Sequence, residues 1–158
     1  MELEQIRKHI LSGKPIEDII KKFDWHEFEL LVAEIFKNNN FLVKHNFRFK
    51  AKRRHEIDVV AINGNIVLCA DCKEWSKGRY KKSGLLSAVE KQEERVKQFE
   101  NFLRKNVIAR QTLKLDSNYK IYPALVTWLQ EDLIKESNTF VIPVWKLNSF
   151  LVEIYNYM

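Results

Sequence analysis

The chain has 158 residues, 46% hydrophobic and 30% charged, which suits one globular domain with a full core. No apolar run approaches the roughly 18 residues of a membrane span. The opening Met1-Glu2-Leu3-Glu4-Gln5 lacks the basic and apolar regions of a secretory signal, so a cytoplasmic protein with no membrane partner is expected. The net charge of +6 is concentrated: positions 41–110 hold 17 Lys/Arg against 8 Asp/Glu, while 1–40 hold 6 against 8 and 111–158 hold 4 against 5. A basic excess confined to less than half of the chain favours a polyanionic partner.

Two short helices are expected at 2–11 and 15–22, punctuated by Gly13 and Pro15. They form an N-terminal extension, 1–23, ahead of a main domain, 24–158. Asp24 is placed to cap a helix over 25–38 whose stripe is Phe28, Leu31, Val32, Ile35 and Phe36, ended by Asn38-Asn39-Asn40. A strand follows over 41–50, then a loop and two hairpin strands at 56–62 and 65–73. A loop rich in Lys and Arg leads to a long helix over 85–106. Strands at 119–129 and 139–144, a short helix near 131–136 and a final helix over 146–156 complete the order. Helix, three strands, helix, strand describes an α/β sandwich around a mixed sheet.

Asn63-Gly64 between two β-rich runs is a strong hairpin signal, because both residue types accept positive φ. With Asn63 and Gly64 as the loop, Asp58 lies opposite Cys69 and Asp71 opposite Glu56. Side chains alternate along a strand, so Glu56, Asp58, Asp71 and Lys73 share a face. Asp58 and Asp71 are then diagonal neighbours, roughly 7–8 Å apart, close enough to clasp one ion. Ile57, Val59 and Ala61 face one way with Ile66, Leu68, Ala70 and Cys72. Val60, Ile62, Val67 and Cys69 face the other. With both faces apolar the hairpin is central, and charges at its end are costly unless paired or metal-bound. The plainer alternative sets Asp58 and Asp71 at a wet edge.

Cys69 and Cys72 are spaced as C-x-x-C, but residues three apart on a strand point to opposite faces. Both are read as small buried hydrophobes. Glu29 shares a helix face with Trp25, Val32 and Phe36, bordering the apolar stripe. Gln92 interrupts the buried stripe of Leu85, Val89, Val96, Phe99 and Leu103, so its amide needs partners: a backbone group or the carboxylate cluster.

Taken together, Glu29, Asp58, Asp71 and Lys73 resemble the PD-(D/E)xK nuclease superfamily, with its restriction-endonuclease-like fold. The resemblance covers roughly 24–150 and rests on the order and spacing of three motifs. Trp25-His26-Glu27-Phe28-Glu29-Leu30-Leu31-Val32-Ala33 is similar to the first helix of Mrr-like endonucleases and archaeal Holliday-junction resolvases. Glu56-Ile57-Asp58-Val59-Val60-Ala61 resembles the second motif, with Ile57 in place of proline. Asp71-Cys72-Lys73-Glu74-Trp75 resembles the third, with an acid where Mrr-like members often carry glutamine.

The resemblance implies a three-layer sandwich, a central mixed sheet flanked by helices, and a Mg²⁺-dependent endodeoxyribonuclease in which Mn²⁺ can substitute. Asp58, Asp71 and the Cys72 carbonyl would hold the ion, with Glu29 at a second ion or at water. Lys73 would orient the attacking water, and Gln92 would assist. Oxygen donors in this number suit Mg²⁺. No small-molecule cofactor is implied. Arg48, Lys50, Lys52, Arg53 and Arg54 before the site, and Lys77, Arg79, Lys81 and Lys82 after it, read as phosphate grips for DNA, with Trp75 and Tyr80 available for stacking. Solvated charge runs are the plain reading of both stretches. A homodimer suits an enzyme that cuts both strands. The competing classes are a non-catalytic nucleic-acid-binding module or complex subunit that kept the fold, and an RNA-directed protein.

Overall fold

The computed structural model describes residues 25–73, 82–128 and 132–158. The expected helices at 2–11 and 15–22, the Asp24 cap, the loop residues Trp75, Lys77, Arg79, Tyr80 and Lys81, and the side chain of Lys82 lie outside the described residues.

Helix α1 spans Trp25–Asn38 and stops for a backbone reason. Asn40 adopts φ 67°. The Asn40 N–H donates to the Lys37 carbonyl, and the Phe41 N–H to the Phe36 carbonyl. The Phe36 and Phe41 rings meet at 5.5 Å. These are the two hydrogen bonds and the apolar contact of a Schellman ending. The chain leaves in the direction of β1, Leu42–Lys50.

Strands β2, Arg54–Asn63, and β3, Ile66–Lys73, form the hairpin. Helix α2, Lys82–Lys105, crosses over, and a short helix α3, Val107–Thr112, follows. Sequence periodicity missed α3, although Asn106 caps it by accepting from the Ala109 N–H at 2.9 Å. Strands β4, Lys120–Thr127, β5, Ile134–Glu136, and β6, Thr139–Pro143, precede helix α4, Val144–Val152, and a 3₁₀ turn at Ile154–Asn156. The final helix expected over 146–156 is thus shorter and starts earlier.

The sheet runs β1-β2-β3-β4-β6-β5. β1, β2 and β3 are antiparallel neighbours, β4 is parallel to both β3 and β6, and β5 is an antiparallel edge. One face carries α1 and α4 through Phe28, Val32, Phe36, Leu147 and Phe150, packed on Val59, Leu68, Ala70 and Val126. The other carries α2 through Val96, Phe99 and Leu103 on Val60, Val67 and Cys69. Nearer the start of α2, Leu85 and Val89 pack on Leu125 and Val141. The three-layer α/β sandwich around a mixed sheet is therefore the fold.

Three expectations need correction. The helix placed near 131–136 ends in strand: β5 turns into β6 through Ser137 at φ 55°. The Glu93 carboxylate on α2 holds that turn, accepting from the Ser137 hydroxyl, the Asn138 N–H and the Thr139 hydroxyl. The hairpin register also differs. Asn63 pairs with Ile66 and Val59 with Ala70, so the loop is Gly64-Asn65. Gly64 carries the positive φ, 59°, and Asn65 does not, which is the pattern of a II′ loop. A slip of two residues leaves every face assignment intact, because alternation has period two.

The third correction is a change of face. Val59 and Ala61 join the α1 side, yet Ile57 joins Val60 and Ile62 on the α2 side. β1 behaves likewise: Val43 packs on the α1 core, Phe47 and Phe49 on the α2 core. The ladder pairs His45 with Val59 and Phe47 with Ile57. Between those pairs stand Asn46, at φ 48°, and Asp58. A left-handed residue rotates the strand there, and the alternation read from sequence breaks at Asp58.

Candidate active site at the end of the central hairpin

The observed register, continued one step beyond Val59 and Ala70, sets Asp58 directly across from Asp71. Direct cross-strand neighbours are closer than the diagonal pair read from sequence. At the break in alternation Asp58 and Asp71 together meet both layers, Asp58 feeling the charge of Glu29 and Asp71 facing Arg95. Asp71 and Lys73 lie on its neighbouring strand, Glu29 comes from α1, and Gln92 and Arg95 come from α2.

The Cys72 N–H donates to Asp58 Oδ2 at 2.9 Å. Burial pushes the Asp58 carboxyl up to about 7; the Asp71 carboxylate and the charge of Glu29 push the same way, against the Cys72 hydrogen bond. Asp71 and Glu29 are buried. Lys73 Nζ stands 3.0 Å from Asp71 Oδ2, and an Arg95 guanidinium nitrogen stands 3.6 Å from Asp71 Oδ1. Glu56 does not join its expected partners. It accepts from the Arg48 Nε–H at 2.7 Å instead, because the break in alternation turns it away.

Gln92 is fully buried. Its Nε2 donates to the Cys69 carbonyl at 2.9 Å, and its Oε1 accepts from Arg95 at 2.5 Å. The amide thus satisfies a backbone group and reaches the carboxylates through Arg95. Arg95 was missed in sequence, where an i, i+3 spacing from Gln92 was the available signal. Thr127 is a second residue that sequence missed. It pairs with Lys73 across the parallel ladder, and its buried hydroxyl has no hydrogen-bond partner among the described residues. Cys69 and Cys72 are free and buried, and burial pushes both thiols well above their ordinary range. Both thiols are thus held in the neutral form in the metal-free protein and pack as small hydrophobes; the Cys72 carbonyl is the candidate oxygen donor.

Among the described residues, no three His, Cys, Asp or Glu side chains already form a metal-holding set. The donor chemistry nonetheless fits a hard divalent cation. The donors are oxygens, and the Asp58 carboxyl keeps its proton toward neutrality because burial penalises its charged form. A cation would take the place of that proton.

Of the expected phosphate grips, Lys50, Lys52, Arg53 and Arg54 are exposed, and Arg48 is tied to Glu56. A groove of about 520 Å³ beside the carboxylates is lined by Arg53, Arg54, His55, Lys91 and Arg95, with Glu56, Glu90 and Glu94 on the same walls. Burial and then the charges of Arg53 and Arg95 lower the His55 pKa, against the pull of Glu94. The groove thus sets Arg53, Arg54, Lys91 and Arg95 against three acids, with both signs of charge on its walls. Among the described residues no helix is long and apolar enough to cross a membrane.

A family model of the nuclease-related domain matches residues 24–128, a span containing Glu29, Asp58, Asp71, Lys73, Gln92 and Arg95. An uncharacterized protein of Archaeoglobus fulgidus is 33% identical over 135 residues, covering 85% of this chain and 94% of that protein.

Proposed function

The chain belongs to the nuclease-related domain family, and on that premise we propose that it hydrolyses DNA phosphodiester bonds with a divalent cation, Mg²⁺ or Mn²⁺. The observation that carries the reading is the group of buried carboxylates at one hairpin end, with Lys73 held 3.0 Å from Asp71. A binder of polyanions gains nothing from carboxylates facing phosphate. Asp58, Asp71 and the Cys72 carbonyl would hold the ion, with Glu29 at its outer side.

The ion, when bound, polarises the phosphoryl group and makes water a stronger nucleophile. The Lys73 ammonium orients the attacking water and offsets charge on the pentavalent phosphorus. The Cys72 N–H fixes the Asp58 carboxylate, and Gln92 anchors the Arg95 side chain. Arg53, Arg54 and Lys91 hold backbone phosphates and so position the substrate without reading its sequence. A two-fold dimer would present two such sites to the two strands, as a restriction-type enzyme on duplex DNA or a resolvase on branched DNA requires.

One observation favours a second reading. Both oxygens of Asp71 already face cations, Lys73 and Arg95, as they would in a non-catalytic module. Supercoiled plasmid, linear duplex and a four-way junction, each with Mg²⁺, Mn²⁺ or EDTA, separate the two when run beside Asp58→Ala. Metal-dependent cutting lost in the variant supports the nuclease, and the preferred substrate gives its type. Salt-sensitive binding without cutting supports the module.

A further inference from the structure

Arg95 belongs to two places. Its guanidinium approaches Asp71 Oδ1 at 3.6 Å, and the same side chain lines the groove with Arg53, Arg54 and Lys91. We propose that Arg95 is an exchangeable counter-cation. It holds Asp71 when the divalent seat is free, and on divalent binding it turns into the groove to grip a phosphate of the DNA backbone. The proposal rests on the reading of Asp58 and Asp71 as the divalent seat.

The two contacts of Arg95 differ in kind. The one to Gln92 Oε1, at 2.5 Å, is a hydrogen bond to a neutral amide, itself pinned to the Cys69 carbonyl. The one to Asp71 is longer and purely ionic. The same guanidinium nitrogen makes both contacts; a divalent ion on Asp71 opposes the ionic one, since two cations then compete for one carboxylate, and the rest of the guanidinium turns about the nitrogen held by Gln92. Gln92 therefore serves as a pivot. Arg95 sits in the middle of α2, at a partly exposed position, so side-chain torsions alone carry the guanidinium into the groove.

A planar guanidinium suits phosphate, which it meets with two parallel hydrogen bonds. Glu90 and Glu94 line the same groove. They disfavour a loose polyanion there and leave the gain to a phosphate placed next to the loaded seat. Lys73 faces the other Asp71 oxygen, so the carboxylate stays compensated while Arg95 moves.

The test measures Mn²⁺ affinity by calorimetry, and affinity for a duplex carrying a non-cleavable linkage by fluorescence anisotropy in Mn²⁺ and in EDTA. The full chain is compared with Arg95→Met and Arg95→Lys. Arg95→Met should bind Mn²⁺ about tenfold more tightly, because the competing cation is gone. Its duplex affinity should match that of the unsubstituted protein in EDTA and fall several-fold in Mn²⁺. There its salt dependence should lose a slope of about 0.9, one phosphate contact. Arg95→Lys should restore part of the Mn²⁺-dependent affinity. An equal loss of duplex affinity in Mn²⁺ and EDTA would show a fixed contact and overturn the exchange. Unchanged Mn²⁺ affinity in Arg95→Met overturns the exchange alone, whereas an unsubstituted protein that takes no Mn²⁺ overturns the divalent seat as well.

Discussion

The Cys72 N–H donates to Asp58 Oδ2 at 2.9 Å, which locks one candidate acid to the strand that carries the other. The bond compensates Asp58 only in part, since burial and the neighbouring acids still push its carboxyl up to about 7.

Stability of the metal-free protein should therefore fall as pH rises from about 4 toward about 7 and then level off. Below the ordinary 3.8 the Asp58 carboxyl is protonated whether the chain is folded or not. Between the two values the unfolded chain releases the proton and the native chain keeps it, so raising pH favours unfolding. Urea unfolding in EDTA at several pH values should show this slope, and Asp58→Asn should flatten it. An unaltered slope in the variant assigns the effect to another group. Since the same proton competes with a cation, Mn²⁺ affinity should climb over the same window.

Lys73→Ala should lower cleavage by about 100-fold or more, the usual cost of removing one group that stabilises a transition state. DNA affinity should change little, because the substrate is held by many cations. Single-turnover cleavage and filter binding give the two numbers. Cleavage at the original rate removes Lys73 from its assigned role.

Gln92→Leu should destabilise the fold by about 1–3 kcal/mol, because the buried Cys69 carbonyl loses its side-chain donor and Arg95 loses its anchor. Chemical denaturation measures the loss. A change within a few tenths of a kcal/mol means that the amide is replaceable by packing alone.

Glu93→Ala should loosen the β5–β6 turn, which donates three hydrogen bonds to this one carboxylate. The expected cost is about 1.5 kcal/mol, at the low end for charged hydrogen bonds because two of the three are exposed. Hydrogen exchange at Asn138 and Thr139 should rise before exchange elsewhere. Uniform exchange across the sheet would place the clamp outside the turn's stability.

DNA affinity should fall steeply with added salt, and the Arg53→Ala, Arg54→Ala double variant should reduce the slope by about 1.8, two phosphate contacts on B-DNA. Titration between low and moderate salt decides this. A flat response removes the groove from the binding surface.

By itself the sequence determined the elements that depend on local pattern. The α1 stripe at helical spacing, the glycine-bearing hairpin and the order of strands and helices made the mixed three-layer sheet legible. The grouping of Asp58, Asp71 and Lys73 followed from period-two alternation near the hairpin end, and it survived a register slip of two because such a slip preserves parity. Only the tertiary structure decided where that alternation stops. Asn46 adopts φ 48° and turns the strand face at Asp58, a rotation that residue type permits without announcing. It likewise decided that α2 lays Arg95 against Asp71 and that Glu93 holds a turn more than 40 residues away. Those contacts join segments distant in sequence, and no local propensity encodes the distance between two layers of a packed sheet.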